Sequence, residues 1–573
     1  MSQPNPSPGQ PKELSMEVRL LLTFALVGLV LFGWNYFFPA PKAPPPPQKS
    51  SVAVQPEPPK QEPAAPTPAP PAKAKSAAAP APAPTLAVAE KAQTYLIESP
   101  VYKIAFSNRG ASVRSWVLKN YKDSLGKPVD LVNAHAGKDR PFGWGFSYVF
   151  PKEQPATDLN GALFAVEQPS PLEIIFTYND GKVQARKAFK VDPALYLAHY
   201  ESSVSAGGTG LVHQLAWRGG FGDPTIHAAA DHEKTVYFST AENKLVEESA
   251  KIAEKGPHKV SGLFQFAGMM DTYFAGVVLP EGKEIDFVTW SDPVVLAEGG
   301  EPVRYPGMSF GSGAEHGSAF FLGPKDTDIL KATNPKLTQL IDWGWFWFIA
   351  KPLFSALHWT HDRWTSNWGW SIVLITIVIN ILMLPLRLSS LKSTQKMSSI
   401  QPKVAAIQAK YKNLPMRDPR KQKQNEELMA LYQSEGINPM GGCIPLLLQM
   451  PFFFAFFKVL SVSIELRGAS WLWVADLSQP ESAVIRWLPL GMLVTQVWMQ
   501  KMTPATSPDP SQQRLMMIIM PAMLTMMFWG ASSGLVLYWL TGNVVGIVQQ
   551  FFFNKLAQKP AAAGKGAVAP GKK

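Results

Sequence analysis

A single cysteine, Cys443, stands in 573 residues, so no internal disulfide can form in any compartment. There is no glycine-rich phosphate loop, no nucleophile elbow and no obvious carboxylate pair, so the chain offers neither a nucleotide site nor a familiar catalytic constellation. It also lacks the repeated halves with broken helices that mark a secondary transporter. What is abundant is proline, 53 residues, and tryptophan, 18 residues. The prolines concentrate in one linker, and many tryptophans flank predicted membrane boundaries. The formal net charge of +11 makes a basic protein, too long for one domain, whose cations must be located before they can be interpreted.

The stretch 367–388, NWGWSIVLITIVINILMLPLRL, is long and apolar enough to cross a bilayer, yet it carries Thr376, Asn380 and Arg387. At 100° per residue these three fall within about 40° of one another and make one polar stripe on a helix. Such a stripe is costly in hydrocarbon unless it faces a cavity, a partner helix or a substrate.

In chain order, a short polar segment at 1–19 precedes an apolar run at 20–38. That run exceeds a signal-peptide core and has no small-x-small cleavage site close behind it, which predicts an uncleaved anchor. Residues 39–90 are Pro and Ala with scattered Lys, a composition that cannot bury a core and behaves as an extended tether. From 91 to 335 the pattern alternates: Tyr102, Ile104 and Phe106 precede the turn Asn108-Arg109-Gly110. Likewise Ile174, Phe176 and Tyr178 precede Asn179-Asp180-Gly181. These are hairpins of a large antiparallel β domain, expected to be a sandwich. Within it His227, Asp231, His232 and Glu233 lie close in sequence, but their spacing matches no zinc motif, and a folding and docking role is expected for the domain. The aromatic-rich 342–361 suits a helix lying along the membrane surface.

After 388 a basic section, 389–438, carries Ile400, Val404, Ile407 and Tyr411 at helical spacing, then Asp418-Pro419 as a cap and Leu428, Leu431 and Tyr432 on a facing stripe. It reads as a helical hairpin. Apolar segments at 443–464, 484–502, 513–531 and 533–554 bring the expected spans to six. The hairpin region holds ten Lys and Arg residues, from Arg387 to Lys423, whereas the loop 465–486 holds Arg467 and Arg486. The positive-inside rule therefore puts the hairpin, both termini and the basic tail 555–573 in the cytoplasm, and the β domain outside.

The run NPMGGCIPLLLQMPFFFAF from Asn438 to Phe456 resembles the YidC/Oxa/Alb membrane protein insertases, as do QPK at 401–403, SGLVLYWLTGN at 533–543 and QQ at 549–550. The order of anchor, linker, β domain and five-helix core resembles the Gram-negative members along nearly the whole chain. The resemblance implies a six-helix polytopic membrane protein, an anchor plus a five-helix core, with a periplasmic β-supersandwich domain and a cytoplasmic helical hairpin. It implies a non-enzymatic function without cofactor or metal: inserting and folding newly made membrane proteins in the inner membrane, alone or with the Sec translocon. Nascent membrane proteins and lipids are the expected partners, with the ribosome a candidate for the basic hairpin and tail, and a monomer is expected rather than an obligate oligomer.

Residue patterns agree with such a mechanism. Trp539, Asn543 and Gln550 share a face of the last span, where Gly546 allows close approach, and Gln496 and Gln500 share a face of the fourth. Together with Thr376, Asn380 and Arg387 they are candidates to line a hydrophilic groove; hydrogen bonding between packed helices is the alternative for each. Met516, Met520, Met523 and Met527 make a flexible apolar stripe for a substrate helix, or ordinary packing. The resemblance places Cys443, Gln449 and Met450 near substrate contact, with Pro445 and Pro451 bending that span. Members of the family usually carry an arginine where this chain has Asn380. Arg387, two turns on along the same face, either supplies that charge or snorkels to the cytoplasmic interface.

Overall fold

The structure is a computed structural model that describes residues 86–133, 143–225, 229–295, 301–411, 418, 420–436, 444–503 and 515–557. The expected anchor, most of the linker and the end of the basic tail lie outside these residues.

Alternation builds the β domain as expected. Tyr102, Ile104 and Phe106 are fully buried while Lys103 between them is exposed, and Glu173–Asn179 pairs antiparallel with Val183–Val191 across the Asn-Asp-Gly turn. Gly181 at that turn has φ +86°, a conformation that costs other L-residues. A four-stranded sheet runs from Thr94–Glu98 to Pro128–Asp130. The second sheet has 14 strands, with Ser147–Val149 at one end of its path and Ala165–Ser170 at the other. Its longest strand, His258–Met270, turns the corner: residues 258–263 pair with Glu284–Val294 and residues 267–270 with Phe274–Leu279.

Aromatic side chains fill the space between the strands. The ring of Phe146 lies 5.1 Å from both Phe189 and Phe320 and about 6 Å from Trp217 and Phe310, and each such burial is worth roughly 1.5–3 kcal/mol. One of the fully buried inward positions is a lysine. The Nζ of Lys187, fully buried, donates to the carbonyls of Phe146 at 2.7 Å, Ala111 at 3.1 Å and Gly110 at 3.3 Å and stands 3.8 Å over the Tyr148 ring. Burial pushes its pKa well below the usual lysine value. Of the four residues considered for a metal, His227 lies outside the described set, Asp231 and His232 are exposed, and Glu233 points inward to accept the Phe221 N–H at 2.8 Å. No cluster of three metal-ligating side chains occurs among the described residues.

The helical part begins after α1 (Thr327–Thr333). Helix α2 (Trp347–Thr360) continues through one π-turn to Thr365 and meets α3 (Trp368–Leu382) at a bend of 116°. Asn367 caps α3 by accepting the Trp370 N–H. The stretch 367–388 is not one straight helix: α3 stops at Met383 and α4 (Leu384–Ser399) restarts with Pro385 in its first turn, where the ring supplies no N–H to continue the ladder. Helices α5 (Gln401–Lys410) and α6 (Arg420–Ser434) form the basic hairpin, joined by Ile400 and Val404 against Leu428, Leu431 and Tyr432. The remaining apolar segments become α7 (Ile444–Val462), α8 (Trp487–Met502), α9 (Met520–Phe528, preceded by a π-turn) and α10 (Ser533–Ala557).

Among the described residues one helix, Ser533–Leu556, is long and apolar enough by itself to cross a bilayer; the bent pair α2 and α3 passes only jointly, and Gln449–Val462 and Met517–Phe528 are apolar but shorter. Of the six expected spans the anchor at 20–38 lies outside the described residues, and among the other five length and composition alone single out the last.

One short segment joins the two halves. Val462 and Ile464 pack into the β-domain core, whereas Leu466 packs into the helical core. Between them Glu465 meets His358 of α2 at 3.1 Å. Arg467 inserts into the β domain, where its guanidinium pairs with the buried carboxylate of Asp223 and its Nε donates to the Lys122 carbonyl at 2.9 Å. The rings of Tyr273 and Phe274 lie 5.3 and 5.4 Å from that guanidinium. Lys458 of α7 adds an ion pair to Asp342.

Candidate functional site: a polar cavity among the helices

The polar stripe of α3 folds partly onto itself. Thr376, fully buried, donates to the Ile372 carbonyl at 2.6 Å, and the Asn380 amide donates to the Thr376 carbonyl at 2.8 Å. Intrahelical bonds of this kind let hydroxyl and amide groups sit in an apolar bundle without a partner helix. Below the break at Met383 the stripe resumes on α4, and there a cavity of about 350 Å³ opens. Helices α3, α4, α7, α8 and α10 all contribute to its wall.

Asn380, Arg387, Gln500 and Gln550 line the cavity, as does Gln449 of α7. Four hydroxyl-bearing side chains, Ser390, Thr394, Thr503 and Tyr538, complete the polar lining, with Met383, Leu386, Phe452 and Met499 among the apolar members. No acidic residue lines it among the described residues, so the Arg387 guanidinium is its single ionic group. That guanidinium lies 3.6 Å from the Met499 sulfur. Gln550, almost fully buried, donates to Asn554 at 2.9 Å, which in turn donates to the Met502 carbonyl at 3.2 Å. An amide-rich wall with one cation can solvate a polar or acidic segment without transferring any atom to it.

Gln496, Trp539 and Asn543 form a separate arrangement. The Gln496 carbonyl oxygen accepts from Trp539 Nε1 at 3.2 Å and from the Asn543 amide at 3.5 Å, and Asn543 also donates to Thr495 at 3.2 Å. These bonds tie α8 to α10, the geometry of packed helices. Gln549, part of the QQ pair at 549–550 but not among the groove candidates, bridges α10 to α3 by donating to the Asn380 carbonyl at 3.2 Å. Helical spacing does not group it with Trp539, Asn543 and Gln550, because it lies about 100° around the helix from Gln550.

Of the proposed substrate contacts, Gln449 faces the cavity and Met450 is half-buried. Met523 and Met527 are about half exposed, Met520 is half-buried, and Met526, outside the stripe, is the most exposed of the group at 80%. Cys443 and the side chain of Met516 lie outside the described residues.

Comparison with known proteins bears on both halves. The family model described as 60Kd inner membrane protein matches residues 359–560, and that described as YidC periplasmic domain matches residues 94–356. A membrane protein insertase YidC of Geobacter metallireducens is 33% identical over 558 residues, covering 94% of this chain and 98% of that protein. The protein of the same description from Geotalea daltonii is 31% identical over 563 residues, covering 94% and 99%. Among solved structures, an active YidC insertase with its first transmembrane domain resolved matches at 18% identity over 82% of this chain and 94% of that one, with a TM-score of 0.35. With both family models matched in order and relatives a third identical along nearly their whole length, the chain belongs to the YidC family of membrane protein insertases.

Proposed function

We propose that this insertase moves the polar flank of a new membrane protein through the cavity between α3, α4, α7, α8 and α10 while the apolar helix of the substrate passes into lipid. A charged side chain at the bilayer centre costs about 2.5–3.5 kcal/mol on insertion scales. Water and amide partners placed partway across lower that barrier, and burial of the substrate helix in lipid drives the step forward, so nucleotide hydrolysis is not required. The observation that carries the reading is the cavity itself. About 350 Å³ is room for on the order of ten waters, walled by Asn380, Gln449, Gln500, Gln550 and Arg387.

In this reading Arg387 supplies the groove charge, and Asn380, which can hydrogen-bond but not attract by charge, supplies an amide above it. Gln496, Trp539 and Asn543 hold the wall in register, while Met520, Met523 and Met527 offer the substrate helix a pliable face. The six-span topology, with both termini and the hairpin cytoplasmic and the β domain periplasmic, rests on charge distribution. Action alone or beside the Sec translocon, a monomeric working unit and ribosome contact through the basic hairpin and tail belong to the same proposal.

The test is insertion of a short single-span protein into vesicles containing only this purified chain, comparing wild type, Asn380→Leu and Asn380→Arg. Insertion that falls with Leu and persists with Arg supports a polar path at Asn380. Equal insertion by all three places the critical polarity elsewhere, and absence of insertion by any of them overturns autonomous action.

A further inference from the structure

We infer that Gly546 is a positioning residue: its missing side chain is the slot that lets the Arg387 guanidinium reach from α4 across to α10 and stay inside the cavity. The inference rests on the reading that Arg387 carries the groove charge.

Gly546 lies in the interior of a 25-residue helix, where glycine is the poorest helix former after proline. The structure shows what its missing side chain makes room for. A Cβ added at Gly546 would stand 2.5 Å from Arg387 Nη2, 3.1 Å from Nη1 and 3.1 Å from the Met499 sulfur. The neighbouring helical glycines differ: a Cβ at Gly542 finds only the Asn380 amide at 4.0 Å, and one at Gly491 only Leu540 at 3.6 Å, both ordinary contacts.

All three atoms crowding Gly546 are near the free ends of long, flexible side chains. A methyl group there would leave the backbone of α10 in place, since alanine favours the helix, and would instead displace the guanidinium. Arg387 on its long stem then swings toward water at the end of the cavity. The cavity keeps its amides and loses the only ionic group that lines it among the described residues. Gly546 thus tunes which substrates pass, because a wall without the cation still hydrogen-bonds a neutral polar segment but no longer attracts an acidic one.

The experiment uses the full purified chain in phospholipid vesicles and two single-span substrates that differ only in the translocated tail, one bearing two aspartates and the other two asparagines. The readout is the ratio of acidic to neutral insertion rates. Arg387→Gln should lower that ratio roughly fivefold, the size of one ion pair in a wet site. Gly546→Ala should lower it by a similar factor, the double variant should lower it no further, and Gly491→Ala should leave it as in wild type. If Arg387→Gln lowers the ratio and Gly546→Ala does not, the positioning role is overturned while the groove charge stands. If Arg387→Gln leaves the ratio unchanged, the groove-charge reading falls and the inference with it. A fall in both substrates by the same factor in Gly546→Ala, additive effects in the double variant, or a like change in Gly491→Ala also overturns the positioning role.

Discussion

Lowering the pH from about 8 to about 4.5 protonates the imidazoles of an unfolded chain, but two in the β domain resist. His213 and His316 lie 4.6 Å apart, ring centre to ring centre, in the interior of the domain. His213 bonds through Nε2 to Ser202 at 2.7 Å and through Nδ1 to the Leu211 carbonyl at 3.2 Å, whereas neither ring nitrogen of His316 has a hydrogen-bond partner of good geometry. Burial, together with the nearby Lys187, brings the pKa of His213 down from 6.5 to about 4, and burial with repulsion from His213 brings His316 to about 3. The folded state therefore holds fewer protons than the unfolded one below pH 6.5, so stability falls as the pH drops from there toward the folded values and then levels off. At pH 4.5 the loss is roughly 2.5 kcal/mol for each group. In a domain of this size 1 kcal/mol moves the melting temperature by about 2–4 °C. His316→Phe keeps a flat ring and removes nitrogens that gain nothing from being there, so at pH 8 it should be at least as stable as wild type. At pH 4.5 it should recover roughly half of the acid-induced loss, about 5–10 °C. The assay is near-ultraviolet circular dichroism of the full chain in detergent, melted across the pH range. Glu233, whose buried carboxyl is pushed well above its ordinary pKa, acts with the opposite sign but is common to both proteins and cancels in the difference. Melting curves of wild type and His316→Phe that run parallel from pH 8 to pH 4.5 would refute the reasoning.

Arg467→Met should be costly because it leaves the Asp223 carboxylate buried without its cation, a change worth about 3–5 kcal/mol; limited proteolysis near residue 467 should speed up, and the accompanying Asp223→Asn should recover part of the loss. His358 presents the reverse pH sign: burial works against its charge, but the hydrogen bond and charge of Glu465 hold its pKa above the ordinary 6.5. Its tie to the 464–467 turn is therefore complete below pH 6.5 and lost as pH rises through the raised value. Hydrogen exchange of α2 should accelerate over that window in wild type and show no such step in Glu465→Gln.

Much of the β domain was legible because period-two burial and Asn-containing turns are local signals, written into Tyr102 to Phe106 and Ile174 to Tyr178. Lys187 was not legible: it occupies an inner position between Ala185 and Phe189, and the carbonyls that accommodate it come from segments 41 to 77 residues away. In the helical part, angular arithmetic grouped Asn380 with Arg387, and both line the cavity although α3 and α4 break between them. The same arithmetic grouped Gln496 with Gln500, yet Gln496 bonds to α10 while Gln500 faces the cavity. A helix face is readable from spacing, but which neighbour it meets depends on tilt and depth fixed by packing along the whole bundle. Gln449 was recognised through family resemblance rather than through any pattern of its own.

The turn at 464–467 also bears on how small a working version of this protein can be made. Cutting away the β domain would remove Asp223, Lys122, Tyr273 and Phe274 at once and leave the Arg467 guanidinium without the surroundings that receive it, at the end of the short turn that follows α7. Ile464 and Val462 would lose their cover in the same stroke. A trimmed insertase is therefore better built with a neutral side chain at 467 and polar ones at 462 and 464 than by truncation alone, since the joint was shaped for two bodies and presents the wrong surface when one is missing.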